Sequence, residues 1–444
     1  MTAKALILAA GAGTRMKSDK PKVVHEVLGK PLVRWVVDAA HDAGIEDVVT
    51  VLGHMSEKVA PFVEGDTKIA IQTQQLGTGD AVNAGREAFT QADGSIAEGS
   101  LVVLSGDCPL ITPETIQALI AKREETGAAV VVLTMHMDDP FGYGRIVREG
   151  EAVVRIVEQK DANEQEAAIT ECNSGFYCFD APALFDALSR VSNDNAQGEY
   201  YLTDVLEICR NDGREVLALQ TADAEEAMGV NSRVQLAQAT HAMQHRINNR
   251  HMMAGVTMWD PESTFIGPDV EIAQDVELWP QTYLLGTTKV GSHSVIGPNT
   301  RLTDTQVGCG ARVDETVAIE AQIDDAAECG PRAYLRPGTH LCEGAKAGTH
   351  VEIKKSTIGK GSKVPHLSYI GDTTMGENVN IGAGSITCNY DGVNKNHTEI
   401  GDNVFVGSDT MMVAPVNIGA GAIIGASSCI TRDVAPDALA LERA

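Results

Sequence analysis

The chain is poor in aromatic side chains, in cations and in long apolar runs, and each shortage narrows what it can be. Aromatic residues fill 4% of its 444 positions while 43 are glycine, a balance that suits a solenoid packed with Val, Ile, Leu and Ala. Lys and Arg number 35 against 61 Asp and Glu, so the formal net charge is −26. That charge argues against nucleic-acid backbones and anionic membranes as partners, and any phosphate must be held by local donors. No apolar run approaches the ~20 residues of a membrane span. The nine cysteines are scattered, odd in number and without a metal-like CxxC pair. With no secretory signal ahead of them, they read as reduced thiols of a cytoplasmic protein. The length allows two domains, each with its own core.

What is present in quantity is a period of six. Ile266, Ile272, Leu278, Leu284, Val290, Ile296 and Leu302 follow one another six apart. The ladder resumes at Ile358, Val364 and Ile370, then at Ile400, Val406, Met412, Ile418, Ile424 and Ile430. Six is neither a helical nor an alternating period, and it points to a parallel β-helix with one aliphatic side chain inward per short strand. Three words make a coil, so the span holds roughly nine coils. Gly often follows the inward residue, as in Ile296-Gly297 and Ile418-Gly419, where it is expected to relieve tight corners.

The first half alternates strand and helix instead. Short buried strands are expected at Ala5–Ala10, Val48–Leu52, Leu101–Ser105 and Val130–Thr134, with an amphipathic helix from Pro31 to Ala43. This order implies a mostly parallel sheet whose ligands sit at the carboxyl ends of the strands. Ser232 with Gln235 forms a capping box, after which Leu236, Ala239, Met243 and Ile247 share one helical face. The expected division is therefore 1–230, a connecting helix over 231–250, and 251–444.

Strand one runs into Leu8-Ala9-Ala10-Gly11-Ala12-Gly13-Thr14-Arg15-Met16. Glycines there let backbone N–H groups face an anion, and Arg15 adds a bidentate donor. With Lys20-Pro21-Lys22 following, this stretch resembles the signature of nucleoside-diphosphate-sugar pyrophosphorylases, and Lys22 becomes the point charge on the phosphates. Gln72 and Gln75-Leu76-Gly77-Thr78 resemble the base-reading segment of the uridylyl-transferring members, and a Gln amide offers uracil both a donor and an acceptor. Ser105-Gly106-Asp107 places a carboxylate at a strand's carboxyl end, suited to Mg²⁺ shared with substrate phosphates. By the same resemblance Gly144, Glu158 and Asn173 hold the sugar, and Asn231 joins Asp107 on the metal.

The solenoid also carries reactive groups. Arg336, Lys354, His366, Tyr369 and Asn380 lie on successive coils, and Arg336 to Lys354 is one coil of about eighteen residues, so those two side chains can stack. His366 comes two words after Lys354 and need not share its face. Asn389-Tyr390-Asp391-Gly392 opens a loop that breaks the ladder until Ile400, and such insertions gather binding surfaces. As a whole the chain resembles the bifunctional N-acetylglucosamine-1-phosphate uridylyltransferase and glucosamine-1-phosphate N-acetyltransferase family. The fold class implied is a Rossmann-like α/β nucleotidyltransferase domain followed by a left-handed parallel β-helix of hexapeptide repeats. The resemblance also implies UTP and acetyl-CoA as co-substrates and a homotrimer with acetyltransferase sites between adjacent β-helices. Arg336, Lys354, Tyr369 and Asn380 match the glucosamine 1-phosphate contacts, and His366 matches the general base. Ala383, Asn389, Tyr390, Ser408, Ala426 and Arg443 match the acetyl-CoA contacts. A monofunctional pyrophosphorylase with a regulatory β-helix shares the amino-terminal loop; Lys354, His366, Asn389 and Tyr390 tell the two apart.

Overall fold

The structure is a computed structural model that describes residues 3–150 and 152–441. The chain divides into two compact units, Met1–Met243 and Gln244–Ala444. The division falls inside the long helix Arg233–Met253.

The first unit is built on one nine-stranded sheet. Its strands are β1 (Lys4–Ala9), β2 (Asp47–Leu52), β3 (Lys68–Ile71), β4 (Ser100–Ser105) and β5 (Val130–His136). They are followed by β6 (Arg145–Glu149), β7 (Ala152–Val157), β8 (Glu171–Asp180) and β9 (Val216–Gln220). The order is β9-β5-β8-β4-β1-β2-β3, with the β6–β7 hairpin attached to β8. Strands β3, β2, β1 and β4 pair parallel, while β8 enters antiparallel between β4 and β5. Leu6 and Ile7 fall into apolar clusters on opposite faces of the sheet, as do Val103 and Val102. Burial on both faces is why these strands read as unbroken apolar runs.

In the second unit the six-residue ladder folds as expected, into parallel sheets of eleven, ten and nine short strands. Each strand pairs with the third strand onward in sequence, for example Phe265–Ile266 with Tyr283–Leu285, then with Arg301–Thr303. Ile266, Leu278, Leu284, Ile296, Leu302, Val364, Val406 and Ile424 are all fully buried. A second inward position precedes each ladder residue by two. There Thr282, Thr288, Ser294 and Thr300 are fully buried, and their hydroxyls donate to backbone carbonyls such as Trp279 O and Leu285 O, each at 2.7 Å. Burying a hydroxyl without such a partner would cost stability.

The glycines following the ladder residues do something other than relieve corners. Gly297, Gly382 and Gly419 do not have left-handed backbone. A Cβ on them would lie 2.6 Å from Asp314 Oδ1, 2.4 Å from Ser408 N and 2.4 Å from Pro436 N respectively. They are needed because the next coil passes too close for a side chain. The left-handed turn positions are filled by residues such as Asp275, Asn299, Asn378 and Asn403, whose short polar side chains tolerate that conformation.

The capping box also differs in one detail. Ser232 Oγ accepts from Gln235 N at 3.2 Å, but Gln235 Oε1 accepts from Asn231 N, one residue before the cap. The helix then continues to Met253 rather than stopping near Arg250. Among the described residues no helix is long and apolar enough to cross a membrane.

Candidate functional sites

Because β3, β2, β1 and β4 run parallel, their carboxyl ends share one edge, and a cavity of about 390 Å³ opens there. Leu8, Ala9, Ala10, Gly11, Lys22, Gln72, Gly77, Thr78, Ser105 and Asp107 all line it. Gly106 stands just behind: its N–H donates to Leu8 O at 2.9 Å, and a Cβ would come within 3.0 Å of that oxygen. Arg15 is not brought to the lining. It sits in the 3₁₀ turn Thr14–Met16, where Met16 takes the buried position and leaves Arg15 exposed. Gly13 is fixed by its positive φ of 62° and by Lys22, whose Cβ would lie 2.5 Å from an added Cβ.

The Lys22 ammonium donates to Asp107 Oδ2 and to Asn231 Oδ1, the latter at 2.9 Å. Val230 N donates to Asp107 O at 2.9 Å and pins the Asn231 segment against the end of β4. A carboxylate and a carboxamide oxygen from segments far apart in sequence thus converge on one positive charge. Hard oxygen donors arranged around a cation are the donor set that Mg²⁺ takes.

Gln72 is narrower in its use than its amide allows. Its Nε2 donates to Gly77 O at 3.2 Å and to Asp80 Oδ2 at 2.8 Å, so its oxygen is the group left for a ligand. Gln75 and Glu199 also line the cavity, Gln75 donating to Ala10 O at 2.7 Å. Gln75 lies within a segment singled out by sequence; nothing near Glu199 in sequence signals its position.

Gly144, Glu158 and Asn173 gather beside one another outside the cavity lining. A Cβ on Gly144 would lie 3.5 Å from both Asn173 Cβ and Glu158 Oε1. Burial pushes the Glu158 carboxyl up, against a hydrogen bond from Thr203 and with the charges of Asp204, Asp161 and Glu199. Asn173 accepts from Gly175 N and donates to the Tyr177 hydroxyl at 2.7 Å, which fixes its amide.

On the β-helix the predicted residues fall into two columns. In the eleven-stranded sheet, Lys363 pairs with Asn380 and Asn380 with Phe405. The same register stacks His366, Ala383, Ser408 and Ala426, with Gly384 N on His366 O, Asp409 N on Ala383 O and Ser427 N on Ser408 O. The imidazole of His366 is exposed and makes no hydrogen bond among the described residues.

The second column lies in the ten-stranded sheet. Arg336 and Lys354 are one coil apart, as expected, with Arg336 N on Ile353 O at 2.8 Å. Arg336 pairs with Glu352 at 2.9 Å and Lys354 with Asp372 at 3.4 Å. Asn389 Nδ2 donates to Asp372 Oδ2 at 2.5 Å and reaches the Tyr369 hydroxyl at 3.4 Å. Lys395, from the inserted loop, stands close to Lys354, whose ammonium lowers the Lys395 pKa, and the charge of Arg336 adds to the effect. Three cations crowded together are the arrangement an incoming phosphate relieves. Gly371 makes room for them: a Cβ there would meet the Tyr369 hydroxyl at 2.4 Å and Asn389 Nδ2 at 2.6 Å. Tyr390 stands 60% exposed at the loop tip, its hydroxyl on Gly392 O. Arg443 lies outside the described residues. Sequence reading missed Gly371, Asp372 and Lys395, and the only signal for Lys395 was a cation within an insertion.

Residues 5–206 match the MobA-like NTP transferase domain family, and residues 397–432 match the six-repeat bacterial transferase hexapeptide family. Curated relatives match over both units. A protein of Syntrophomonas wolfei described as "Bifunctional protein GlmU" is 48% identical over 100% of this chain and 98% of its own. The proteins of Heliobacterium modesticaldum and Streptomyces coelicolor, under the same description, are 50% and 51% identical over 99% of this chain. They are matched over 95% and 92% of their own lengths. The chain belongs to the GlmU family. Within GlmU, then, the strand-end cavity falls in the NTP transferase portion, and the Ser408–Ala426 part of the His366 column falls in the hexapeptide portion.

Proposed function

We propose that this chain makes UDP-N-acetylglucosamine in two steps, acetylating glucosamine 1-phosphate and then transferring uridylyl from UTP to the product. Residues 1–230, with Asn231 at the start of the connecting helix segment, carry the uridylyl step and 251–444 the acetyl step. The observation that carries this reading is the presence, on one chain, of two separate phosphate-ready clusters: Lys22 with Asp107 and Asn231, and Arg336 with Lys354 and Lys395.

In the first site a sugar-phosphate oxygen attacks the α-phosphorus of UTP, and the bond to the pyrophosphate oxygen breaks. No protein nucleophile is required, so positioning and charge neutralisation carry the rate. The Gly11 loop and Lys22 receive the phosphates, Gln72 offers its oxygen to the base, and Gly144, Glu158 and Asn173 take the sugar. Asp107 and Asn231 would hold Mg²⁺, which when bound neutralises phosphate charge.

In the second site, Arg336, Lys354, Tyr369 and Asn380 bind the sugar phosphate. Ala383, Asn389, Tyr390, Ser408, Ala426 and Arg443 contact acetyl-CoA. Neutral His366 accepts the amine proton as nitrogen attacks the thioester carbon, and the CoA thiolate leaves, a contribution of ~10²–10⁴ in rate. Within one chain His366 and the cation cluster occupy different sheets, which supports completion of the site by a neighbouring β-helix in a homotrimer. Nine free thiols support a cytoplasmic enzyme.

The test is to incubate the protein with glucosamine 1-phosphate, acetyl-CoA, UTP and Mg²⁺ and identify products by mass. Asp107→Ala should stop at N-acetylglucosamine 1-phosphate. His366→Ala should lose roughly 10²–10⁴ in acetyl transfer yet still use supplied N-acetylglucosamine 1-phosphate. Equal loss of both steps in either folded variant would reject the two-site assignment.

A further inference from the structure

The nine-stranded sheet of the β-helix contains a column that follows its ladder residues, and most of that column is glycine. Register carries it through Gly291, Gly308, Gly359, Gly376 and Gly401. The reason is steric, since a Cβ on Gly359 would lie 2.1 Å from Gly376 O, and one on Gly308 would lie 2.5 Å from Asp325 N. Two consecutive coils depart from the rule and carry Asp324 and Cys342 side by side. Beside them, on the neighbouring outward position, stands His340 in place of the Gln and Thr found there on adjacent coils.

The three side chains converge. His340 Nε2 lies 2.8 Å from Asp324 Oδ2, Cys342 Sγ lies 3.9 Å from His340 Nε2, and all three ligand atoms fall within 4.8 Å of one another. Around a tetrahedral zinc-class ion, with bonds of about 2.0–2.3 Å, neighbouring ligand atoms sit roughly 3.3–3.8 Å apart. The triad therefore needs only a small opening of the His–Asp pair, which a proton now holds at hydrogen-bond distance. Each ligand is fixed by ladder bonds of its own strand, with Asp324 N on Leu341 O at 2.8 Å and Cys342 N on Ile358 O at 3.0 Å. Asp324 also lines a surface concavity with Asp325 and Glu343; Lys360 pairs with Glu343 at 2.8 Å, which leaves the charges of the two aspartates to favour a cation.

We propose that Asp324, His340 and Cys342 bind one divalent cation of the zinc class, through a carboxylate oxygen, Nε2 and Sγ, with the fourth position open to solvent. The donor set separates this site from the oxygen-only pair Asp107 and Asn231: nitrogen and sulfur select zinc, cobalt or their kin over magnesium. On binding, the thiol releases its proton to solvent and the sulfur ligates as thiolate. An open fourth position makes this a site that can exchange a water or an external ligand.

Cobalt(II) is the probe, because thiolate ligation gives it a charge-transfer absorption that oxygen sites do not produce. Full-length protein titrated with Co²⁺ should develop that band and saturate at one equivalent per chain, and added Zn²⁺ should displace it. Cys342→Gly, which installs the residue this column carries elsewhere, should abolish the band. His340→Gln keeps the thiol and should weaken Co²⁺ binding by more than about tenfold. Acetyl transfer, which uses none of these residues but depends on the same β-helix, reports that both variants are folded. The proposal fails if the wild type shows no band, if the band survives Cys342→Gly, or if His340→Gln binds as tightly as wild type. The last outcome would leave only an Asp–His surface pair with a bystander thiol.

Discussion

At the scale of single residues, the sharpest dependence in the acetyl-transfer region falls on an atom that is absent. Gly371 has ordinary backbone, yet a Cβ would occupy the place of the Tyr369 hydroxyl and the Asn389 amide. Gly371→Ala should therefore displace both and cost roughly 10²-fold in acetyl-transfer kcat/KM, since misplacement by about 1 Å has that effect. Uridylyl transfer by the same variant should be unchanged; a wild-type acetylation rate would show that neither group positions substrate. A second residue-scale effect concerns pH. Burial, helped by Arg250, lowers the His251 pKa to about 4 from the usual 6.5, and its Nε2 has no hydrogen-bond partner. The unfolded chain takes up this proton near 6.5 while the folded chain resists it until about 4. Stability should thus fall as pH drops through that window, because the unfolded state binds more protons there. Urea midpoints measured from pH 7 to pH 4.5 should fall less steeply for His251→Leu than for wild type. Parallel slopes would rule the effect out.

At the scale of elements, what could be read in advance was whatever repeats. The inward aliphatics from Ile266 to Ile430 were legible because every coil presents the same demand at the same place in each word. The sheet of the first unit was legible from runs such as Leu6-Ile7-Leu8, buried on both faces. The role of the glycines differs from the expectation because the crowding comes from the next coil, at Asp314 for Gly297 and at Ser408, beyond the inserted loop, for Gly382, and leaves no local mark. Arg15 lies off the cavity lining for a local reason: the turn gives its inward place to Met16. Gly371, Asp372 and Lys395 escaped because they matter only through approach across coils and a loop. The steric reading of the glycine column is testable at a position remote from either active cluster. Gly359→Ala should cost about 1–3 kcal/mol, in the range of overpacked cores. Thermal unfolding of the β-helix would show it, and an unchanged midpoint would mean the coils part more easily than their spacing indicates.

At the scale of the whole molecule, the first unit packs its core on the two faces of its sheet, the second packs the inward ladder residues, and GlmU relatives match along the full chain. A fragment of residues 1–253 keeps Asn231 and the helix that follows it, and should retain uridylyl transfer from supplied N-acetylglucosamine 1-phosphate. A fragment from 244 onward should stay folded and, on the trimer proposed above, run as three chains in light scattering; a folded monomer would contradict that assembly. The inserted loop between Asn389 and Thr398 shows what such a chain permits. The interval from Asn380 to its partner Phe405 is 25 residues, whereas Lys363 lies 17 before Asn380, yet the strands above and below pair without a slip. A corner of this spiral can lengthen without the ladder noticing, because the added residues leave sideways and return to the same rung. New chemistry can thus be spliced into an old frame one corner at a time, and a lineage need never pass through an unfolded intermediate to acquire it.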